Sequence, residues 1–357
     1  MKVLFLTQTS ELGPSSRYRV YQLLPSLRER GIECDVSPAI DSATYARLYL
    51  QGGAGKLSTW GAIWQRRRTD LQHLDEFDAV FVQKGVFPGL YSGFERKIAA
   101  RKPLVFDFDD AIWLPRQGGS PFLRTLHRER AVQDILQIAT VVTAGNEFLA
   151  EYARRFGGNV VVVPSTVDVG QFRQNADSLV VGWIGSSTTL SYLKLLSVVF
   201  KTLNVTPRVI ASGDPNALGF PVDFRPWRLE TESSELSQFG IGIAPLPNTP
   251  WEHGKCGVKL LQYMARGIPV IASPVGVHEQ IVSHGVNGLL AKTEAEWISC
   301  LRQLLSDGAL RARLGAAAKE TVTKRYQVRV AVDGLARALA AITQTRGMIG
   351  KLNRKSA

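Results

Sequence analysis

Several clusters in this sequence have the residue types and spacing to do chemistry. Asp107-Phe-Asp-Asp110 places three carboxylates within four positions at the end of an apolar run. Carboxylates this close repel, so at least one needs a cationic partner or a raised pKa. Strand alternation would turn Asp107 and Asp109 to one side and Asp110 to the other. Lys255 and Lys259 stand four apart around Gly257. On one face of a helix start they would add two cations to its exposed amides and cradle a diphosphate; the plainer alternative is two solvated lysines. Arg17 and Arg19 follow the first apolar run as permanently charged forks suited to phosphate, or else as exposed first-turn residues.

Other patterns exclude chemistry. A dinucleotide fingerprint needs three spaced glycines after the first strand, and Ser10 to Ser15 offers only Gly13, which argues against a nicotinamide enzyme. Gly52-Gly-Ala-Gly-Lys-Leu-Ser58 has Leu57 where a P-loop needs a hydroxyl and Leu50 where it needs its first glycine, and reads as a surface loop. The histidines, with His253, His278 and His284 the nearest to the lysine cluster, lack metal-ligand spacing, and no metal is expected. Cys34, Cys256 and Cys300 form no CxxC pair and suit a reducing cytoplasm.

The elements that must position these groups follow an α/β alternation. Near-continuous apolar runs at 2–7, 32–37, 78–82, 104–108, 140–143 and 160–163 read as strands of a parallel sheet covered on both faces. Helical patterns lie between them at 18–30, 91–100, 122–138 and 146–156. After a polar stretch at 164–177, a second series of strands (179–184, 208–211, 222–225, 241–244, 269–272) alternates with helices at 189–203, 258–266 and 294–305. Length supports the same division, since 357 residues exceed what one core usually organises. The expectation is two Rossmann-like, doubly wound domains, residues 1–170 and 171–326, facing across a cleft, with a helical C-terminus and basic tail at 327–357.

The net charge of +12 invites nucleic acid, an acidic membrane or a phosphate-bearing ligand. From Lys324 onward there are eight Lys or Arg against the single Asp333, a net of +7, so the excess sits in the tail. That tail could rest on an anionic membrane surface. No nucleic-acid motif accompanies the charge, and nucleic acid is not expected as a partner. No apolar run reaches the length of a membrane span, and the first run is too short for an export signal.

The segment KLLQYMARGIPVIASPVGVHEQIVSHGVNGLL, Lys259 to Leu290, resembles the donor-binding region of family 4 glycosyltransferases, retaining enzymes of the GT-B fold. Val161-Val-Val-Pro-Ser-Thr-Val-Asp168 and Val141-Val-Thr-Ala-Gly-Asn146 resemble the family's interdomain region. Ser15-Ser-Arg-Tyr-Arg-Val20, Phe106-Asp-Phe-Asp-Asp110 and Gly182-Trp-Ile-Gly-Ser186 are similar to a bacterial subgroup. The resemblance implies donor binding by Gly185, Ser186, Lys255, Cys256, Gly257, Lys259, Gln262 and Glu279. It also implies Asp109 and Asp110 as catalytic carboxylates near the sugar or acceptor, and Arg17 and Arg19 as contacts to acceptor or phosphate. A metal-binding reading of Asp107-Phe-Asp109 belongs to a different fold, GT-A. The chain departs from the family where its paired glutamates would fall on Gly254 and Gln262, and where its phosphate-binding Arg and Lys give way to Ser186 and to Ser191 or Tyr192.

The resemblance therefore implies a transferase that moves a sugar from a nucleoside-diphosphate donor to a glycan or lipid-linked acceptor in polysaccharide or glycolipid assembly. It would need no cofactor, and would work in the cytoplasm or on the inner face of the cell membrane. The missing glutamates and Arg/Lys pair leave a second class open, a GT-B protein without catalysis that binds a nucleotide sugar or nucleic acid. A sugar-nucleotide epimerase is a third.

Overall fold

The computed structural model describes residues 1–51, 53, 57–87, 92–114, 128–170 and 178–353, the side chains from 343 onward excepted. The chain forms two compact units, one of Met1–Tyr45, Ala54–Ser165 and Val328–Ala357, the other of Ala46–Gly53 and Thr166–Gln327.

The first unit holds a parallel six-stranded sheet in the order β2-β1-β3-β4-β5-β6. Its strands are β1 (Lys2–Thr9), β2 (Glu33–Ile40), β3 (Ala79–Gln83), β4 (Leu104–Phe108), β5 (Val141–Ala144) and β6 (Asn159–Val162). β3 and β4 are buried along their whole length, as their near-continuous apolar runs lead one to expect, with Gln83 and Asp107 buried among them. Val3, Phe5, Phe81, Val105 and Val141 build one side of the core. The helix Val328–Asn353 completes that side with Ala331, Leu335, Ala338 and Ile342, a stripe at helical spacing. Burial of Leu335 and of Ile342 contributes about 1.5–3 kcal/mol each, and that of each alanine less. The segment expected to stand apart at 327–357 thus begins as a structural part of the first unit. Of the tail's cations, the side chains of Arg346, Lys351, Arg354 and Lys355 lie outside the described residues.

The second unit repeats the plan. β7 (Val181–Ser186), β8 (Arg208–Ser212), β9 (Asp223–Pro226), β10 (Ile241–Ala244), β11 (Val270–Ala272) and β12 (Leu289–Leu290) form a parallel sheet ordered β12-β11-β10-β7-β8-β9. Glycines admit large neighbours into it. A Cβ on Gly182 would meet the Phe239 ring at 2.2 Å, and one on Gly242 would meet Tyr263 at 2.5 Å. The Tyr263 hydroxyl in turn accepts the Ile184 N–H at 2.9 Å.

Differences from the expected elements have local causes. β12 has only two residues, too few for a periodic signal. The expected helix at 18–30 is broken at Val20 (φ −130°, ψ −68°) into Pro14–Arg19, a 3-10 turn and Leu24–Glu29. That at 189–203 is interrupted by the 3-10 stretch Ser191–Leu196. A helix at Leu57–Gln72 carries Arg67 on its buried face and exposes Trp60 and Trp64 in part, an inverted pattern that conceals its period. Of the P-loop-like stretch, residues 52 and 54–56 lie outside the described residues, and Leu57 and Ser58 open this helix.

Candidate functional site

In both sheets the strand order reverses beside the first strand of the unit, between β1 and β3 and between β7 and β10. Open α/β sheets bind ligands outside the carboxyl ends of their strands at such a reversal. The chemistry-bearing residues gather at these two places.

At the first reversal, parallel register sets Gln83 of β3 beside Asp107 of β4, and Lys84 donates its N–H to the Asp107 carbonyl at 2.7 Å. β4 ends at Phe108, so alternation does not continue. Asp109 and Asp110 therefore share one partner, and Asp107 has another. Lys84 Nζ lies 2.7 Å from Asp109 Oδ1 and 2.5 Å from Asp110 Oδ2. The Ser15 hydroxyl donates to Asp109, at 2.6 and 2.5 Å from its two oxygens. Asp107 is instead held by Arg19, whose Nε donates at 3.1 Å and whose Nη2 closes the fork, and by Thr143 Oγ1 at 2.7 Å. Two cations thus answer the repulsion expected among three carboxylates. Burial alone would lower the Lys84 pKa, but Asp109 and Asp110 outweigh it and push it above its ordinary value.

Arg19, expected at a phosphate or acceptor, is 3% exposed, and its Nη1 donates to the Val163 carbonyl. It joins β4 to the end of the sheet and has no open face to present. Arg17 is half-buried, with its guanidinium 5.0 Å from the Tyr18 ring. Asp107 and Asp109, the two acids of a metal-type DxD reading, turn to different cations.

A second buried arginine braces the same sheet. Arg67 donates to the carbonyls of Thr7 (2.7 Å), Ser37 (2.9 Å) and Val86 (2.8 Å), uniting three strand ends. Beside it, burial raises Glu95 to about 7, although Glu95 accepts the Val86 N–H at 2.7 Å.

At the second reversal, β7 ends in Gly185 and Ser186. A Cβ on Gly185 would lie 2.3 Å from Trp183 and 2.9 Å from Lys259 Cε, so its absence lets Lys259 cross the indole. Lys259 Nζ sits 5.3 Å from the Trp183 ring centroid and 3.5 Å from Thr189 Oγ1. The helix Val258–Ala265 begins at Gly257, whose φ of +68° is a left-handed turn that favours glycine. A Cβ there would also strike Ile281 at 2.6 Å. Because Lys255 precedes this turn, the two lysines do not share a helical face. Lys255 Nζ lies over Trp251 at 5.6 Å. Both cations nevertheless flank the helix start, where unpaired amides favour an anion.

The remaining expected donor residues separate. Ser186 Oγ is 2.8 Å from Thr188 Oγ1. Cys256 is buried, its thiol 3.8 Å from the Gly254 carbonyl. Gln262 is buried and donates to Glu232 Oε1 at 3.1 Å, while Glu232 Oε2 accepts from Trp227 Nε1 at 2.6 Å. Glu279 is exposed on the one-turn helix His278–Ile281. His278, next to it, is buried with Nδ1 3.1 Å from the Ser273 carbonyl, and burial lowers it to about 4.

Sequence reasoning missed Lys84, and it missed Glu252. Glu252 is 3% exposed and accepts from the Tyr192 hydroxyl at 2.5 Å and from Thr249. The only local signal for it was a carboxylate two positions before the expected first family glutamate.

Residues 204–307 match the family model described as glycosyl transferases group 1. A curated relative, the O-antigen biosynthesis protein RfbC of Myxococcus xanthus, is 33% identical over 97 residues. That alignment covers 24% of this chain and 8% of the relative, so the chain spans a small part of that protein's length. Among solved structures, sucrose-phosphate synthase from Thermosynechococcus elongatus aligns with a TM-score of 0.74 at 16% identity, covering 96% of this chain and 99% of the other. Anabaena HepE, solved with UDP and glucose, aligns with a TM-score of 0.72 at 18% identity over 96% and 100%. The lipopolysaccharide outer core galactosyltransferase WaaB gives 0.62 at 17% over 96% and 99%. Two parallel-sheet units of this topology give the chain the GT-B fold of these structures, and within the second unit residues 204–307 are similar to the glycosyl transferases group 1.

Proposed function

We propose that this chain is a retaining glycosyltransferase of the family 4 type, moving a sugar from a nucleoside-diphosphate donor to a glycan or lipid-linked acceptor in polysaccharide or glycolipid assembly. One observation carries the reading. At the β7/β10 reversal, inside or beside the matched segment, Lys255 and Lys259 flank the start of the helix Val258–Ala265 across a backbone cleared by Gly185 and Gly257. Such an arrangement suits the diphosphate of a donor, and its fixed charges stabilise the diphosphate as it leaves. HepE, a structural neighbour, was solved with UDP-glucose, which supports a nucleotide sugar as the ligand class.

In the proposed reaction the bond from the anomeric carbon to the diphosphate oxygen breaks while a bond to the acceptor oxygen forms on the same face. The acceptor proton passes to the departing diphosphate, so no separate base or cofactor is required. Asp109 and Asp110 take the acceptor side by accepting hydrogen bonds from its hydroxyls. Among the described residues no helix is long and apolar enough to cross a membrane. The proposal places the chain in the cytoplasm, with the basic tail resting on an anionic inner membrane surface.

The test is incubation with a panel of nucleoside-diphosphate sugars, following donor binding and nucleoside diphosphate release with and without glycan acceptors. The reading expects one donor to bind and its release to accelerate with acceptor. Binding of no donor contradicts it.

A further inference from the structure

We propose that Glu252 is a positioning residue of the donor site: joined to Tyr192 across the β7/β10 reversal, it fixes the turn that delivers Lys255 to the start of the helix Val258–Ala265. The assignment rests on the glycosyltransferase reading and adds to it a residue that acts through Lys255 without touching the donor.

Two segments leave the second sheet on either side of the reversal. After β7 the chain passes through the helical turn Ser187–Leu190 into the 3-10 stretch Ser191–Leu196, which carries Tyr192. After β10 it reaches the one-turn helix Pro250–His253, which carries Glu252. The Tyr192 hydroxyl donates to Glu252 Oε1 at 2.5 Å, a bond between residues 60 positions apart. The Thr249 hydroxyl donates to Oε2. A carboxylate only 3% exposed is tolerated where both oxygens are bonded in this way.

The backbone of Glu252 is bonded as well. Its N–H donates to the Thr249 carbonyl at 3.0 Å, and its carbonyl accepts the Lys255 N–H at 3.0 Å. The Lys255 ammonium lies over the ring of Trp251, the buried residue just before Glu252. Lys255 is thus anchored to positions 251 and 252 at both its backbone and its ammonium. The same segment after β7 meets the other cation, since Lys259 Nζ is 3.5 Å from Thr189 Oγ1. Thr189 and Tyr192 therefore set both lysines against one segment. Cations placed before the ligand arrives bind it at a lower ordering cost.

Calorimetry on the full chain tests this, using whichever of UDP, dTDP, GDP and ADP binds the wild type most tightly. Glu252→Ala and Tyr192→Phe should each weaken that nucleotide at least fivefold. Glu252→Gln, which keeps an oxygen for the Tyr192 hydroxyl, should recover most of the affinity. The deciding measurement is a double-mutant cycle with Lys255→Met. In the Lys255→Met background, Glu252→Ala and Tyr192→Phe should change the affinity less than twofold, because the cation they position is already gone. A merely structural role would weaken binding equally in both backgrounds. Equal losses with and without Lys255→Met, or unchanged affinity in Tyr192→Phe, overturn the positioning role. Tyr192→Phe carries the test alone if Glu252→Ala fails to fold, since it removes one oxygen and keeps the ring. A wild type that binds none of the four nucleotides contradicts the glycosyltransferase reading itself, whereas wild-type binding with unaltered variants overturns the positioning role alone.

Discussion

The two strand-order reversals are built on the same sheet geometry and carry opposite electrostatics. At β1/β3 the charges face one another: Arg19 closes on Asp107, and Lys84 spans Asp109 and Asp110. At β7/β10 the cations lie over tryptophan rings beside a helix start, with glycines clearing the backbone around them. An ammonium over an indole gains roughly 0.5–2 kcal/mol from the ring. An ammonium between two buried carboxylates is not so easily surrendered. The contrast is the one the proposed function uses, with the donor diphosphate at the second unit's lysines and the acceptor at the first unit's carboxylates.

The largest way to break this contrast is Arg19→Ala. Leaving Asp107 as an uncompensated buried charge should cost the first unit about 3–5 kcal/mol, measured by denaturant unfolding. An anion-binding arginine on an open surface would cost little when removed, so a small change shows that Arg19 is not the internal brace described here.

Acidity should separate the units next. Glu95, raised to about 7 from 4.5 by burial, favours the folded first unit below pH 4.5, and that contribution is lost as pH rises to about 7. His278, lowered to about 4 from 6.5, gives the second unit stability that is present above pH 6.5 and lost as pH falls toward 4. Each effect is on the order of 3 kcal/mol at most. Hydrogen exchange read by mass spectrometry, corrected for intrinsic rates, should show protection in the first unit falling between pH 4.5 and 7 while that in the second rises. Glu95→Gln and His278→Asn should flatten the respective trends. Parallel behaviour of the two units, unaffected by these variants, contradicts the assignment.

A smaller effect sharpens the second site. Gly185→Ala forces a methyl against Trp183 and the Lys259 stem, costing about 1–3 kcal/mol by overpacking and moving the cation. Calorimetry should show weaker nucleoside diphosphate binding together with a lowered unfolding temperature. Unchanged binding would mean that Lys259 is not where the phosphates sit.

Much of this architecture was legible in the sequence because buried parallel strands are near-continuous apolar runs, such as Ala79–Gln83 and Leu104–Phe108. The helix Leu57–Gln72 was not, because Arg67 occupies its buried face and tryptophans sit near its surface. The second site was readable through its contiguous motif, with Gly257 marking the helix start. Its finer geometry was not: a four-residue spacing suggested one helical face for Lys255 and Lys259, and the left-handed turn at Gly257 separates them. The first site escaped more completely. Lys84 is a lone cation 25 positions before Asp109, and only the register of β3 against β4 brings them together. Arg19 offered the opposite illusion, since nothing local in the sequence distinguishes a buried brace from a phosphate contact.

The division between the two sites is tested most directly by calorimetry with a panel of nucleoside diphosphates on wild type, Lys259→Met and Lys84→Met. The account predicts that one nucleotide binds the wild type, that Lys259→Met weakens it at least tenfold, or about 1.4 kcal/mol, and that Lys84→Met leaves it unchanged. Equal losses in the two variants, or full affinity in Lys259→Met, would contradict it.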